Sequence, residues 1–373
     1  MARFLIIRAL LIGIILPTVV MFFIQPWEEI DVPSRLVEII YGVMLLEAIR
    51  FAYRSRKNIL DKIKRSWVKR KINRCFKKRL SSAMLRKLQM EPRLIKLDGD
   101  TTEVSVVSCH VRDLDRVIEH GKSDPRKLMD MINRTIEISG KAVANNDGLM
   151  GRYSSGQMIA FWNVPIKIDD PSSKAVASAI EIVDLIGKTK TSAPKSMAIS
   201  VGIGIAAGTM LIGNIGSSDN AEYGGLGTAA SIAGLLSEKS KEYHVSILAS
   251  REIISKIDDR FVKVELDTAR IGGPEGLPIY AVIGYGKNIG NPLQISTCYS
   301  QHAKFLSAYR EQRWDMAMVI GSSLRTAWNG NLKEYYEMML SRCRNLKKNP
   351  PGRDWDGIYL PPRKASALET LDG

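Results

Sequence analysis

The residues best suited to chemistry follow an apolar run early in the chain. His110, Asp113 and Asp115 come directly after residues 103–109 (EVSVVSC). On a tight turn, this imidazole and two carboxylates could share a metal ion. Imidazole suits transition metals, whereas magnesium takes oxygen ligands in near-octahedral geometry. Further along, Gly213, Gly225 and Gly227 could let backbone approach a phosphate, and glycine at tight turns accounts for the same pattern. Zinc chemistry is not indicated. The four histidines do not cluster, and Cys75, Cys109, Cys298 and Cys343 contain no CxxC pair. Scattered cysteines favour reduced thiols over a disulfide framework.

These residues need a scaffold, and its centre is the stretch 143–165 (VANNDGLMGRYSSGQMIAFWNVP). Asn146-Asp147-Gly148 ends a helix, and Ser154-Ser155-Gly156 separates two extended runs, which predicts a β-hairpin. Around it the pattern predicts a strand over 103–109, helices over 125–145 and 170–188, and a strand over 197–206. That strand turns at Gly208 into a hairpin partner over 209–215. A helix over 227–243 and strands over 246–249, 261–266 and 278–283 complete the order. The alternation predicts an α+β sandwich, one sheet with helices against one face. Two amphipathic helices over 301–346 follow, AKFLSAYREQRWDMAMVIGSSL and LKEYYEMMLSRCRNL, then NPPGRDWDGIYL.

The first ninety residues differ in kind. Residues 4–24 are apolar except Arg8, about the 20 residues that span a bilayer core. Residues 36–53 are mostly apolar but carry Glu38, Glu47 and Arg50. Two transmembrane helices are expected, with both termini cytoplasmic, because Arg54, Arg56 and Lys57 follow the second stretch at once. The chain has 373 residues and a net charge of +15. Residues 54–93 hold sixteen Lys and Arg against Asp61 and Glu91, so nearly all the excess is local. A single helix over 54–90 is expected, with Val68, Ile72, Phe76, Leu80, Met84 and Leu88 on one stripe. Its basic side, including Arg54, Arg56, Lys57, Lys62, Lys64 and Arg65, suits an anionic lipid surface at on the order of 1 kcal/mol per residue. A solvated tether, or pairing with a second copy, fits equally. The stripe is aliphatic rather than a stacking array of aromatics, so no nucleic-acid partner is expected.

Several segments resemble the class III adenylate/guanylate cyclase catalytic domain of the bacterial, membrane-tethered type. They are EVSVVSCHVRDLD, the central hairpin, KAVASAIEIVDLI and SVGIGIAAGTMLIGNIGSSDNAEYGGLGTAASIAGLLSEKSKEYHVSILAS, together covering residues 94–284. The resemblance implies a ferredoxin-like sandwich, preceded here by N-terminal transmembrane helices and followed by a small helical hairpin. The implied domains are a membrane anchor over 1–53, a basic linker helix over 54–91, a cyclase-like domain over 92–290, and a TPR-like hairpin with tail over 291–373.

The same resemblance implies positions for the chemistry. In the family two aspartates hold the metal ions; they align with His110 and Gly156. The purine-selecting lysine aligns with Arg152 and its partner with Gly224. The ribose-orienting asparagine aligns with Ser231, and the arginine that stabilises the transition state with Leu235. No catalytic position is then intact, and a shifted metal site would fall to Asp113 and Asp115. The expectation is a membrane-anchored, catalytically inactive signalling or scaffold protein at the inner (cytoplasmic) membrane. It would pair with itself, with a cyclase-like domain or with another membrane protein. No cofactor is expected; magnesium or manganese enters only in the alternative, an active adenylate cyclase (a phosphorus–oxygen lyase) with non-standard ligands. A third reading is lipid-surface tethering by the basic helix alone.

Overall fold

The computed structural model describes residues 34–360 apart from 78, 93–98, 123, 191–198, 217–221, 271–272, 274 and 353. The chain divides into two compact units, Met1–Arg74 and Cys75–Gly373. Helix α1 (Ser34–Phe76) supplies the described part of the first unit. The expectation of two transmembrane helices is overturned here. Among the described residues no helix is long and apolar enough to cross a membrane. Residues 36–53 fall inside α1, where Glu38, Glu47 and Arg50 place charges that hydrocarbon does not tolerate. Arg50 Nη1 and Glu47 Oε1 pair at 2.7 Å, both exposed. The first apolar stretch, 4–24, lies outside the described residues. Arg54 and Arg56 are exposed on α1, and Lys57, Lys62, Lys64 and Arg65 lie along the same helix. The single helix expected over 54–90 is two. Helix α2 (Ser82–Met90) starts afresh, with Met84 N–H donating to the Ser81 hydroxyl at 3.3 Å.

The second unit is built on one mixed sheet. In chain order its elements are β1 (Asp100–Val111), α3 (Leu114–Gly121), α4 (Pro125–Asn145), β2 (Leu149–Ser154), β3 (Gln157–Trp162), α5 (Pro171–Lys190), β4 (Val201–Ile215), β5 (Glu222–Leu226), α6 (Thr228–Lys239), β6 (Ile247–Ser250), α7 (Arg251–Ile254), β7 (Phe261–Arg270) and β8 (Gly276–Tyr285). The strand order is β2-β3-β1-β4-β6-β8-β7, with β5 added to β4. Only β4–β6 is a parallel pair among these strands, and the rest are antiparallel. The sequence predicts a turn at Gly208, but β4 runs straight through it. β1 offers a partner along the whole run, from Val111↔Val201 to Asp100↔Ile212, with Val104 opposite Gly208. The true hairpin partner of β4 is β5, from Leu211↔Leu226 to Ile215↔Glu222.

Helices cover both faces of this sheet, not one. Period-2 alternation sends Val107, Cys109, Ile203, Ile205, Ala249 and Val282 into a core with α4 and α5. Burial there pushes the Cys109 thiol up to about 12, so it stays protonated. On the other face Leu248, Val262, Val264, Leu266, Ile279 and Ala281 pack with residues of α6 and of the C-terminal helices. After α8 (Gly286–Ile289), those helices are α9 (Pro292–Arg310), α10 (Trp314–Leu324) and α11 (Lys333–Lys348), joined by a 3₁₀ turn at Trp328–Gly330. The expected helical hairpin is therefore three helices. The first amphipathic run breaks at Gln312, whose φ is 60°, and Arg313 N–H closes the turn on the Ala308 carbonyl at 2.8 Å.

Polar groups pin the helices to strand β7. Arg342 of α11 and Asp267 of β7 pair at 2.5 Å with side chains 4% and 5% exposed, and the Tyr243 hydroxyl donates to the same carboxylate at 2.9 Å. Nearby, Trp328 Nε1 donates to the Tyr336 oxygen at 3.0 Å. The Tyr336 hydroxyl donates to His302 Nδ1 at 2.8 Å, and His302 Nε2–H donates to the Glu265 carbonyl at 2.5 Å. This relay needs a neutral imidazole, and burial pushes the His302 pKa down to about 4.

Two outcomes follow for stability. Arg342→Met leaves the Asp267 charge buried without its partner, so urea unfolding should show a loss of about 3–5 kcal/mol. For His302 the folded pKa lies below the unfolded value, so the unfolded chain binds the extra proton. Stability is full above about pH 6.5 and falls as pH drops toward 4, by up to about 3 kcal/mol. Unfolding curves across that window should be flatter for His302→Gln than for the natural chain.

Candidate functional site

The site grows from two glycines in β4. An ideal Cβ at Gly204 would lie 2.0 Å from the Ala233 carbonyl oxygen, and one at Gly202 would lie 2.0 Å from Ser240 Oγ. Both neighbours belong to α6 or its C-terminal cap. Bare backbone here is what lets α6 lie directly on the sheet. Hydroxyls lock the contact. Gln157 Nε2 donates to Ser108 Oγ at 2.8 Å, Ser108 Oγ meets Ser237 Oγ at 3.2 Å, and Ser237 donates to the Gly234 carbonyl at 2.6 Å. Arg112, just past β1, donates to Ser240 Oγ at 2.9 Å and to the Val245 carbonyl. Burial lowers its pKa, offset by Asp113.

The two positions aligned with the metal-binding aspartates come together. β1 and β3 pair with His110 opposite Gln157, and Val111 N–H donates to the Gly156 carbonyl at 2.8 Å. Gly156 forms the hairpin tip with φ +78°, and a Cβ there would meet Leu114 Cδ2 at 2.6 Å. Conformation and packing both ask for glycine at this point. His110 Nδ1 is buried with no hydrogen-bond partner among the described residues. The donor set at the pair is one imidazole and no carboxylate, which does not fit magnesium. Asp113 does not supply the missing oxygen. It adopts φ 51° and its carboxylate is engaged by Lys241, a hydrogen bond that holds its pKa below the usual range. Asp115 is exposed in the first turn of α3. Among the described residues no three His, Cys, Asp or Glu side chains gather as a metal site.

The remaining aligned positions are spread over three elements. Ser231 and Leu235 sit one turn apart on α6, both exposed, Leu235 at 36%. Gly234 between them faces Gln157, the residue after Gly156, since a Cβ there would be 3.2 Å from Gln157 Nε2. Arg152 is exposed on β2, and Gly224 lies on β5, where a Cβ would meet only Ile215 Cδ1 at 3.7 Å. Packing therefore does not require glycine at 224.

Arg79 joins these last two strands, and sequence reasoning missed it. Its Nε donates to the Met150 carbonyl at 2.7 Å and its Nη2 to the Tyr223 carbonyl at 2.8 Å. Met150 N–H returns a bond to the Arg79 carbonyl at 2.9 Å, and Phe76 packs edge-on to Tyr223 at 5.2 Å. Burial lowers the Arg79 pKa, partly offset by Glu222. Nothing in the sequence separates this arginine from the basic run around it. Ser108 and Ser237 likewise carry no sequence signal.

No family model matches the chain. Adenylate cyclase 1 of Rhizobium meliloti (strain 1021) is 25% identical over 186 residues, covering 49% of this chain and 28% of that protein. An uncharacterized protein of Mycobacterium tuberculosis (strain ATCC 25618 / H37Rv) is 24% identical over 159 residues, covering 43% and 28%. The chain thus spans less than a third of the length of these relatives. Among solved structures, a bacterial light-regulated adenylyl cyclase aligns at 14% identity with a TM-score of 0.48, over 74% of this chain and 71% of that one. The adenylyl cyclase CyaB from P. aeruginosa aligns at 18% identity with a TM-score of 0.45, over 52% and 99%.

The glycine contacts set a stability test. Gly204→Ala should lower the midpoint of thermal unfolding by the equivalent of about 1–3 kcal/mol or more, because a helix backbone stands in the way. Gly224→Ala, with open space around it, should stay within about 0.5 kcal/mol of the natural chain.

Proposed function

We propose that this chain is a class III cyclase-like protein that does not make cyclic nucleotides and works in signalling as a dimerising partner or scaffold. The observation that carries this reading is the pair His110 and Gly156. Where two metal ions would need carboxylate oxygens, the pair offers one nitrogen and a tip closed by Leu114. Leu235, at the position of the charge-stabilising arginine, has no charge to give. Losing one such group alone slows a reaction by about two to three orders of magnitude.

Dimerisation is supported by apolar side chains on the β4–β5 hairpin. Leu211 and Leu226 are cross-strand partners, 52% and 56% exposed, in the same second unit as the half-exposed Leu235. A solvated apolar pair of this kind suits a protein partner. Arg54 and Arg56, exposed on α1, support a tethering role for the basic segment on an anionic lipid surface. One feature favours the alternative of an adenylate cyclase with non-standard ligands: the unpartnered Nδ1 of His110, which suits a transition metal better than magnesium.

Purified full-length protein with ATP or GTP and either magnesium or manganese should yield no cyclic AMP or cyclic GMP above a no-protein control. Turnover that depends on manganese and disappears in His110→Ala would overturn the proposal in favour of the alternative.

A further inference from the structure

A second cavity lies away from every position aligned with the cyclase chemistry. It has a volume of about 1140 Å³ and opens between the start of β7, the end of β8, α8 and the first turns of α9. Its origin is physical. β7 is the edge strand, and its register slips between Val262 and Lys263, so no further strand continues the sheet there. Gly286 and Gly290 line the gap without side chains to fill it.

The lining sorts into a flat floor and a cationic rim. Phe261 and Tyr285 are cross-strand partners with ring centroids 5.2 Å apart, and Tyr299 of α9 forms the facing wall. Tyr299 is held in place because its hydroxyl accepts the free edge N–H of Lys263 at 3.1 Å. Around the rings stand three cations. The Arg260 guanidinium lies 4.8 Å from the Phe261 centroid, Lys287 Nζ lies 5.9 Å from the Tyr285 centroid, and Lys263 completes the set. Arg260 is partly neutralised by Asp258 at 3.1 Å and Asp170 at 3.5 Å, and Lys263 by Asp259 at 3.4 Å. Lys287 has no ion-pair partner among the described residues and is exposed at the mouth. A ligand that stacks on the rings therefore meets an uncompensated positive charge at its edge.

We infer that this cleft binds an amphipathic organic anion: a flat apolar or aromatic body lying against Tyr285 and Tyr299, with Phe261 buried behind them in the core and one acidic headgroup on Lys287. The cleft, slightly above the range of about 300 to 1,000 Å³ for small-molecule sites, has room for a small organic molecule. Apolar burial supplies the attraction, and one charge-assisted contact sets the orientation. The ligand would touch both the sheet edge and α9. Occupancy would then bear on how the C-terminal helices sit against the sheet, whether or not the chain turns over a nucleotide.

The test uses the full chain and the fluorescent anion 8-anilinonaphthalene-1-sulfonate. Saturable binding is expected, weakened about five- to tenfold by Lys287→Glu, which reverses the headgroup contact. The uncharged N-phenyl-1-naphthylamine should bind Lys287→Glu and the natural chain alike. Ser296→Trp, an exposed position on the α9 wall, should fill the cleft and remove binding of both dyes. Both substitutions are at exposed positions and should leave the thermal midpoint unchanged. Absence of saturable binding, or sulfonate binding unchanged in either variant, overturns the inference.

Discussion

The seating of α6 on bare β4 backbone is the contact on which the rest of the second unit depends. With no Cβ at Gly202 or Gly204, the helix comes close enough for Ser237 to reach Ser108 and for Ser240 to reach Arg112. Those bonds set where the helix ends, and the turn after it delivers Tyr243 to the buried Asp267. From Asp267 the linkage passes to Arg342 and the C-terminal helices. A space one methyl group wide thus organises the face of the sheet that carries α6 and the C-terminal helices. The same seating brings α6, which carries Ser231 and Leu235, against Gln157 beside the hairpin tip.

That neighbourhood separates two kinds of position. At Gly156 the positive φ favours glycine, and a Cβ would have to displace a Leu114 methyl group. At Gly224 there is open space, and at Leu235 there is solvent. A side chain at the first position would require Leu114 to shift with it, whereas the other two could change singly. Such coupling is typical of residues in direct contact.

Much of this was legible in sequence wherever local residues dictate local geometry. Asn146-Asp147-Gly148 and Ser154-Ser155-Gly156 announce the hairpin because both turns need residues that tolerate positive φ, and the structure has Asp147, Ser155 and Gly156 there. The apolar runs in β1 and β6 and the alternation in β7 likewise mark strands. What escaped depends on distant partners. Gly208 reads as a turn until β1 is seen to pair along its whole length. The second covered face depends on residues about a hundred positions apart, such as Leu236 with Tyr335 and Tyr336. Residues 36–53 read as a membrane span because apolar density outweighs three charges in a short window, yet those charges keep the helix below the threshold. The pairing of His110 with Gly156 follows from strand register once the family resemblance is granted. The role of Arg79 does not, because a basic run gives no clue to which guanidinium is buried.

The Asp267–Arg342 pair also bears on how the molecule is made. Strand β7 leaves the ribosome about 75 residues before the arginine that neutralises it, the separation recorded between the two side chains. Until then, the carboxylate has the Tyr243 hydroxyl and the Thr268 N–H but no cation beside it, and burying its charge is costly. Tyr299 and His302 of α9 reach the Lys263 N–H and the Glu265 carbonyl first, and Tyr335 of α11 reaches the Leu266 carbonyl last. Folding of the sheet's far side is therefore tied to completion of the helical segment, and a nascent chain stalled between them presents an unfinished β edge, the form of surface most open to wrong pairing.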